Sequence, residues 1–291
     1  MTIGVLVMAY GSPATPDEIE SYYTHIRRGR PPTAEQLADL RRRYDAVGGT
    51  STLRARTTAQ ARVLQHALGD DHRVVLGMKH ATPFIEDAAR ELDGCTRVVG
   101  LVLAPHYSAM SVGEYLDRAR DAVSAPFAPI ESWATEPAYV SFLADAVGDV
   151  LEGMPTRTTV VFTAHSLPRR ILDAGDPYPN EVRATADAVA KEAALDRWAG
   201  YATAWQSAGR TPEPWLGPDV LEVIADVEPG DGLVVCPCGF VADHLEVAYD
   251  LDIEAKAAAD ARGVAFARTR VLNDDRRVLA ALAARIKAAC E

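Results

Sequence analysis

The chain has 291 residues, of which 48% are hydrophobic and 24% charged, and its formal net charge is -11 at pH 7. This is ordinary globular composition, with enough length for one large domain or two medium ones. The acidic balance argues against nucleic acid as a general partner. The apolar run at residues 1–9 is too short to span a bilayer and has no basic leader, so we expect a cytoplasmic protein without a transmembrane segment.

Apolar runs typical of strands alternate with helical stretches along the whole chain. The strands are predicted at residues 3–8, 73–78, 97–104, 158–163, 200–205 and 233–237. The helices between them are predicted at residues 57–68, 83–92, 137–151 and 181–194. This alternation predicts parallel sheets with helices on both faces.

Two parts of the chain echo each other in sequence. Residues 5–13 resemble residues 160–168, an alignment that sets Tyr10 against His165. The match is weak in identity but consistent in position with a second match further along. We therefore infer that the chain contains two similar halves.

The second match sets Glu114 against Glu246. Together the two matches predict an α/β protein with two similar Rossmann-like, doubly wound halves, whose parallel sheets face each other across a cleft. We place the halves at residues 1–145 and 146–291. The first half carries an insertion at about residues 12–50.

The predicted strand at residues 158–163 leads directly to His165. In open α/β sheets, ligands bind outside the carboxyl ends of the strands, so His165 is a candidate for chemistry. The alternative is a strand-end histidine whose ring is satisfied by the backbone and has only a structural role.

A row of carboxylates follows the last predicted strand. A helix that begins near Asp243 would place Glu246, Asp250 and Glu254 at positions i, i+4 and i+8 along one face. Such a row is commonly a solvated face, but it also suits a divalent cation that neutralises it. Beside His165, the row predicts a path for a divalent metal.

The insertion is rich in arginine and tyrosine. It contains a predicted helix that Thr33 and Gln36 open with a capping box and that ends before Gly48. Its arginines allow two interpretations. They either form the solvated basic end of a helix, or they make the insertion a flap that holds a ligand with several carboxylates, since guanidinium groups pair with carboxylates bidentately. Its tyrosines could cover a flat apolar face of such a ligand.

Cysteine spacing and loop motifs exclude several classes of site. The four cysteines show neither a C-x-x-C pair nor zinc-finger spacing; they are Cys95, Cys236, Cys238 and Cys290. We interpret Cys236 and Cys238 as small buried hydrophobes. Dinucleotide and nucleotide binding lack support because no G-x-G-x-x-G or Walker A sequence follows a strand.

Motifs along nearly the whole chain resemble those of the ferrochelatase family in order and spacing. They lie at residues 8–13, 22–30, 43–44 with 48–49, 77–87, 104–108, 164–168, 205–207 with 214–218, and 239–254. The Tyr-Gly after the first strand and the Tyr-Tyr-Thr-His-Ile-Arg-Arg-Gly-Arg run are similar to the branch found in monoderm bacteria. That branch inserts Fe²⁺ into coproporphyrin III, which yields coproheme III and two protons in haem biosynthesis.

The resemblance implies roles for individual residues. His165 and Glu246 match the catalytic pair, Asp250 and Glu254 match acidic residues that lead outward along the metal path, and Tyr10 matches a tyrosine axial to the product iron. Porphyrin contacts are implied for eight residues: Tyr10, Arg27, Arg43, Tyr44, Ser51, Lys79, His80 and Tyr115. The four propionates of coproporphyrin give the arginines a ligand. Which of the catalytic pair accepts protons and which binds the metal stays open.

The resemblance also implies Fe²⁺ as a substrate and no organic cofactor. Some family members carry a [2Fe-2S] cluster, which needs four convergent thiolates. This chain lacks their C-terminal group of cysteines, so we do not favour a cluster, although one stays open. Three further functions stay open as well: a protoporphyrin IX ferrochelatase, another tetrapyrrole chelatase, and a non-catalytic porphyrin or haem carrier. We expect a monomer that makes transient contact with neighbouring haem-pathway enzymes.

Overall fold

A computed structural model describes residues 2–290 of the chain, which form two sheets of four parallel strands. The first sheet contains β1 (Ile3–Ala9), β2 (His72–Met78), β3 (Arg97–Val102) and β4 (Phe127–Ile130), in the order β2-β1-β3-β4. The second contains β5 (Thr158–His165), β6 (Tyr201–Gln206), β7 (Gly232–Cys236) and β8 (Ala265–Arg268), in the order β6-β5-β7-β8. The strand order is the same in both sheets, which confirms the predicted pair of similar halves.

Helices cover both sheets. The α-helices are α1 (Ile19–Ile26), α2 (Ala34–Ala46), α3 (Leu53–Leu68), α4 (Ile85–Arg90), α5 (Glu114–Ala122), α6 (Pro137–Leu151), α7 (Arg170–Asp173), α8 (Tyr178–Glu192), α9 (Val220–Asp226), α10 (Lys256–Arg262) and α11 (Arg276–Ala288). Two π-helices, Ala109–Gly113 and Glu246–Ala255, directly precede α5 and α10. Within residues 2–290, none of the helices has the length and apolar character needed to cross a membrane.

The central strands are buried on both faces, as expected for parallel strands covered by helices. In β1 the side chains of Val5 and Leu6 have no exposed surface, and the same holds for Val160 and Phe162 in β5. Their apolar runs are why the sequence predicts these strands well. The burial also holds the last residue of each strand firmly at the edge of the sheet.

The edge strands β4 and β8 were not predicted. Each has only four residues, too few for an apolar period to stand out, and β4 contains Pro129. Proline is tolerated on an edge strand because its missing N–H is not needed for a further neighbour. Both strands are assigned by their pairing with β3 and β7, a long-range contact that composition does not reveal.

The insertion consists mainly of α1 and α2, and its predicted capping box is confirmed. Thr33 Oγ1 accepts from the backbone N–H of Gln36 at 3.2 Å, and Gln36 Oε1 accepts from the N–H of Thr33 at 3.0 Å. Beyond the end of α2, Gly48 and Gly49 have φ angles of 99° and 92°, which favour glycine. The helix therefore begins and ends where the sequence indicates.

The two halves share packing as well as topology. Helix α6 follows the first sheet and packs on α8 and β7 of the second half, while α11 returns to pack on α3 of the first half. One apolar cluster contains Val5 and Leu64 together with Phe162 and Leu282. The division between residues 145 and 146 falls inside α6 and stays a proposal.

Candidate active site

His165 and Glu246 lie next to each other at the carboxyl edge of the second sheet. His165 is the last residue of β5, and its Nε2 is 3.7 Å from Glu246 Oε1. Its Nδ1 is 2.5 Å from the carbonyl oxygen of Ser166, and the Tyr178 hydroxyl donates to the carbonyl of His165 at 2.9 Å. These backbone contacts hold the ring so that Nε2 faces the carboxylate.

A second imidazole, which was not predicted as a site residue, lies on the other side of Glu246. His244 Nε2 is 3.5 Å from Glu246 Oε2, and His244 Nδ1 is 3.0 Å from the carbonyl oxygen of Ala242. The signal available in the sequence was its position two residues before Glu246. A histidine at that spacing has no special meaning until the local turn brings both side chains to the same side.

The two imidazoles present the same chemistry to the carboxylate. In a neutral ring whose Nδ1–H donates to a carbonyl, Nε2 carries a lone pair. In that form His165 and His244 direct basic nitrogens towards Glu246, and a proton or a metal cation would complete the arrangement. In the protonated form each ring instead carries a positive charge and an Nε2–H that faces the carboxylate. Burial acts to raise the pKa of Glu246, but the charge of protonated His165 and the hydrogen bond from protonated His244 outweigh it and hold that pKa below its usual range.

The helix that carries Glu246 differs from the predicted one. It is wound as a π-helix from Glu246 to Ala255, rather than as an α-helix from near Asp243. A π-helix closes i→i+5 hydrogen bonds and is wider than an α-helix, and such segments are frequent at functional sites. Apolar spacing over ten residues does not separate the two kinds of winding, which is why the sequence indicated an ordinary helix.

The predicted acidic row meets the arginine-rich insertion. From α2, Arg43 Nη1 lies 3.3 Å from Asp250 Oδ1, and Arg43 Nη2 lies 3.9 Å from Glu254 Oε1. The other oxygen of Asp250 accepts from the Ser207 hydroxyl at 2.5 Å. The carboxylates beyond Glu246 are thus already paired with a cation from the flap.

Asp250 is only 8% exposed, and its pKa is raised to about 6. Burial is the main cause, and the neighbouring charges of Glu246 and Glu254 add to it, while Ser207 and Arg43 act in the opposite direction. A carboxyl group with this pKa exchanges a proton readily near neutral pH. It lies one step outward from the ionised Glu246.

Four tyrosines from the first half lie within electrostatic reach of Glu246. They are Tyr10, Tyr22, Tyr44 and Tyr115. Burial raises the pKa of each phenol, and the charge of Glu246 raises it further, so all four are neutral at physiological pH. Tyr44 and Tyr115 are only 2% and 5% exposed, whereas Tyr10 is 42% exposed and presents its neutral phenol to solvent.

Lys79 is tied to a carboxylate of its own half. Its Nζ lies 2.6 Å from Glu114 Oε2 and 5.0 Å from the centre of the Tyr115 ring. The lysine side chain is 10% exposed and the Glu114 side chain 45% exposed. The ammonium group is therefore largely buried and paired with Glu114.

His80 is paired with a histidine of the insertion. Its Nδ1 is 3.0 Å from Nδ1 of His25, and its ring centre is 4.7 Å from that of Tyr10. Burial and the charge of Lys79 lower the pKa of His80 to about 3, so this ring is neutral. The contact joins α1 to the end of β2.

Arg27 and Ser51 make local contacts within and at the end of the insertion. Arg27 Nε donates to the carbonyl of Arg30 at 3.3 Å, and its guanidinium lies 5.6 Å from the centre of the Tyr23 ring. Ser51 Oγ accepts from the N–H of Leu53 at 3.1 Å, at the start of α3. Arg27 thus makes its contacts within the insertion, whereas Ser51 lies where the insertion joins α3.

Other candidate groups lie outside this cluster. His106 is buried and contacts the Thr185 hydroxyl at 2.9 Å, and burial lowers its pKa to about 3. Cys236 and Cys238 are fully buried, which confirms their interpretation as buried hydrophobes. Among residues 2–290, no three His, Cys, Asp or Glu side chains are arranged as a ready-made metal site.

Comparison with known proteins decides the family. The model of the ferrochelatase family matches residues 2–290, nearly the full chain. The chain belongs to the ferrochelatase family. In this ferrochelatase His165, Glu246 and the acidic row lie together, and His244 contacts the same carboxylate. The catalytic and metal-path roles that the sequence motifs imply for them stay a prediction.

Relatives of this ferrochelatase cover almost all of it. It is 44% identical to the coproporphyrin III ferrochelatase of Anoxybacillus flavithermus, over 97% of this chain and 94% of the relative. It is 45% identical to that of Halalkalibacterium halodurans, over 93% and 92%. Among solved structures, SirB from Bacillus subtilis with Fe³⁺ has a similar fold, with a TM-score of 0.58 at 13% identity over 99% of this chain and 96% of that one.

Proposed function

We propose that this chain is a coproporphyrin III ferrochelatase, which inserts Fe²⁺ into coproporphyrin III and releases two protons to give coproheme III in haem biosynthesis. The observation that carries the proposal is the cluster of His165, His244 and Glu246, with the neutral Tyr10 within electrostatic reach of the glutamate. The names of its relatives at 44–45% identity supply the substrate.

The porphyrin would lie between Tyr10 of the first half and the histidine and glutamate cluster of the second. Neutral rings suit the faces of a flat aromatic macrocycle, and guanidinium groups suit its propionates. The contacts we propose are those of Tyr10, Arg27, Arg43, Tyr44, Ser51, Lys79, His80 and Tyr115. Since Arg43 pairs with Asp250 and Glu254, a propionate would have to compete with these carboxylates.

Two pyrrole N–H protons must leave as iron enters the ring. The lone pair of His165 Nε2 can accept a proton or bind the incoming Fe²⁺, and the ionised Glu246 balances the positive charge that results in either case. Asp250, with a pKa of about 6, can take a proton from that region and pass it towards Glu254. We propose Tyr10 as the axial neighbour of the product iron.

The remaining parts of the proposal concern the setting of the reaction. We propose a cytoplasmic monomer that needs Fe²⁺ as a substrate, works without an iron–sulfur cluster and passes coproheme to another haem-pathway enzyme by transient contact. Residues 1–145 would hold the macrocycle, and residues 146–291 would carry the metal-inserting groups. The net charge of -11 supports the absence of nucleic acid from these partners.

The test is anaerobic Fe²⁺ insertion, followed in the visible spectrum, with coproporphyrin III and protoporphyrin IX in parallel. We expect turnover of coproporphyrin III with little turnover of protoporphyrin IX. The reverse preference would assign the chain to the protoporphyrin branch. Tight binding of porphyrin without insertion of iron into either would support a porphyrin carrier instead.

A further inference from the structure

The two halves place matching positions at the mouth of the same cleft. Tyr10 follows β1 as His165 ends β5, and Glu114 lies nine residues after Pro105 as Glu246 lies nine after Pro237. Each glutamate also adjoins a π-helix: Glu114 directly follows one, and Glu246 begins the other. The first half thus contains a positional copy of the carboxylate that the second half uses.

Strand register extends the match to a third position. Ala9 pairs with Met78 in the first sheet, as Ala164 pairs with Trp205 in the second. One residue further along, Lys79 therefore corresponds to Gln206. The end of the second strand carries an ammonium group in one half and a neutral amide in the other.

Lys79 and Gln206 contact their glutamates at different atoms. Lys79 Nζ binds the Glu114 carboxylate directly at 2.6 Å. Gln206 Nε2 instead donates to the backbone carbonyl of Glu246 at 3.3 Å, and its Oε1 accepts from the Thr163 hydroxyl at 2.8 Å. The carboxylate of Glu246 stays open towards His165, whereas that of Glu114 is neutralised.

The residue four positions after each glutamate also differs in charge between the two halves. In the second half it is Asp250, the next carboxylate of the acidic row. In the first half it is Arg118, whose Nη1 donates to the carbonyl of Lys79 at 3.0 Å and whose guanidinium pairs with Glu86 at 2.7 and 2.8 Å. The first half therefore presents two cations at positions where the second half presents an amide and a carboxylate.

We propose that Lys79, braced by Arg118, keeps the first half's copy of the metal site permanently neutralised, so that divalent metal reaches the bound macrocycle only from the His165 side. Lys79 is then a specificity-determining residue for the side of metal entry, in addition to any contact with the porphyrin. The inference rests on the proposed function, because it assumes that Glu246 belongs to the metal path. An ammonium 2.6 Å from a half-exposed carboxylate repels a second cation and occupies its ligand.

The test is Co²⁺ binding to the full chain without porphyrin, measured by calorimetry and by the visible absorption of the bound ion. The informative variant is Lys79→Gln, which installs the residue found at the equivalent position of the second half. We expect one Glu246-dependent Co²⁺ in the parent and a second, weaker one in Lys79→Gln. The second should disappear in Lys79→Gln/Glu114→Gln.

The controls separate charge from folding. Lys79→Arg keeps the positive charge and should bind one Co²⁺, and Glu114→Gln alone should leave the parent's stoichiometry unchanged. Lys79→Met, an unbranched neutral side chain that reaches towards Tyr115 as the lysine does, replaces the glutamine variant if that protein does not fold.

Two results would overturn the inference in distinguishable ways. In the first, the parent binds one Co²⁺ and the neutral Lys79 variants also bind only one. That result would refute the inference and leave the proposed function intact. A parent whose Co²⁺ binding is unaffected by Glu246→Gln would refute both, because there would then be no metal site for the first half to copy.

Discussion

The two halves of this protein have the same strand order and opposite electrostatics at the cleft. The first half presents neutral tyrosines and a lysine that is tied to Glu114. The second presents two imidazoles and an ionised glutamate, followed by Asp250. A shared fold thus supplies equivalent positions, while a few side chains at strand ends give the two halves different charges. In the function we propose, the first half binds the ring and the second handles the metal and the protons.

The largest expected effect separates the two matched glutamates. Glu246→Gln removes the charge that balances an incoming cation or proton, so we expect iron insertion into coproporphyrin III to fall at least about 100-fold. Glu114→Gln, the matched control, should change the rate by less than about fivefold, because Lys79 already neutralises that carboxylate. Rates of anaerobic insertion measure both, and equal losses would show that the two halves share the chemistry.

His244 gives the next effect, on the pH profile as well as on the rate. Its hydrogen bond and charge lower the pKa of Glu246, so His244→Ala should raise that pKa and shift the acidic limb of the kcat/KM profile to higher pH. We expect the rate near pH 7 to fall about tenfold. The exposed His66 provides the control variant, His66→Ala, and an unshifted acidic limb in His244→Ala would remove His244 from the site.

Arg43 tests the contact between the halves. Arg43→Ala removes a guanidinium group from the flap, and we expect the Kd of coproporphyrin III to rise about tenfold in fluorescence titration. The control is Arg277→Ala, since Arg277 forms an exposed ion pair with Asp145. If both variants bind the porphyrin as the parent does, the flap has no role in holding propionates.

The last comparison concerns stability rather than activity. The pKa of Asp250 is raised to about 6 in the fold against 3.8 in the unfolded chain, so between these values the folded state holds a proton that the unfolded state has lost. Stability therefore falls as pH rises from about 4 to about 6 and changes no further above that range, by up to about 3 kcal/mol. Denaturation curves of Asp250→Asn should lack this decrease; an identical pH dependence in the variant would contradict it.

Much of this arrangement could be predicted from the sequence because it depends on local pattern. Long apolar runs indicated β1 and β5, and the weak internal repeat placed Tyr10 and His165 at equivalent positions. The capping residues Thr33 and Gln36 marked the start of α2. In each case the chemical signal lies within a few residues of the feature that it predicts.

The parts that were missed depend on contacts between distant residues or on the detail of the backbone. The edge strand β8 exists through its pairing with β7, and the π-winding that begins at Glu246 has the same apolar spacing as an ordinary helix over this length. His244 becomes a site residue only because its Nδ1 contacts the carbonyl of Ala242 and turns Nε2 towards Glu246. The pairing of Lys79 with Glu114 joins residues from different elements.

The most direct test of the account compares the two residues that the repeat makes equivalent. Fe²⁺ insertion into bound coproporphyrin III should be measured in single turnover for His165→Ala and Tyr10→Phe, together with the Kd of the porphyrin for each. For His165→Ala we expect the rate of insertion to fall by about 100-fold or more, while the Kd of the porphyrin stays within about threefold of the parent's. For Tyr10→Phe we expect the rate of insertion to stay within about tenfold of the parent's. Equal losses in the two variants, or a loss in His165→Ala that is explained by weaker porphyrin binding, would contradict it.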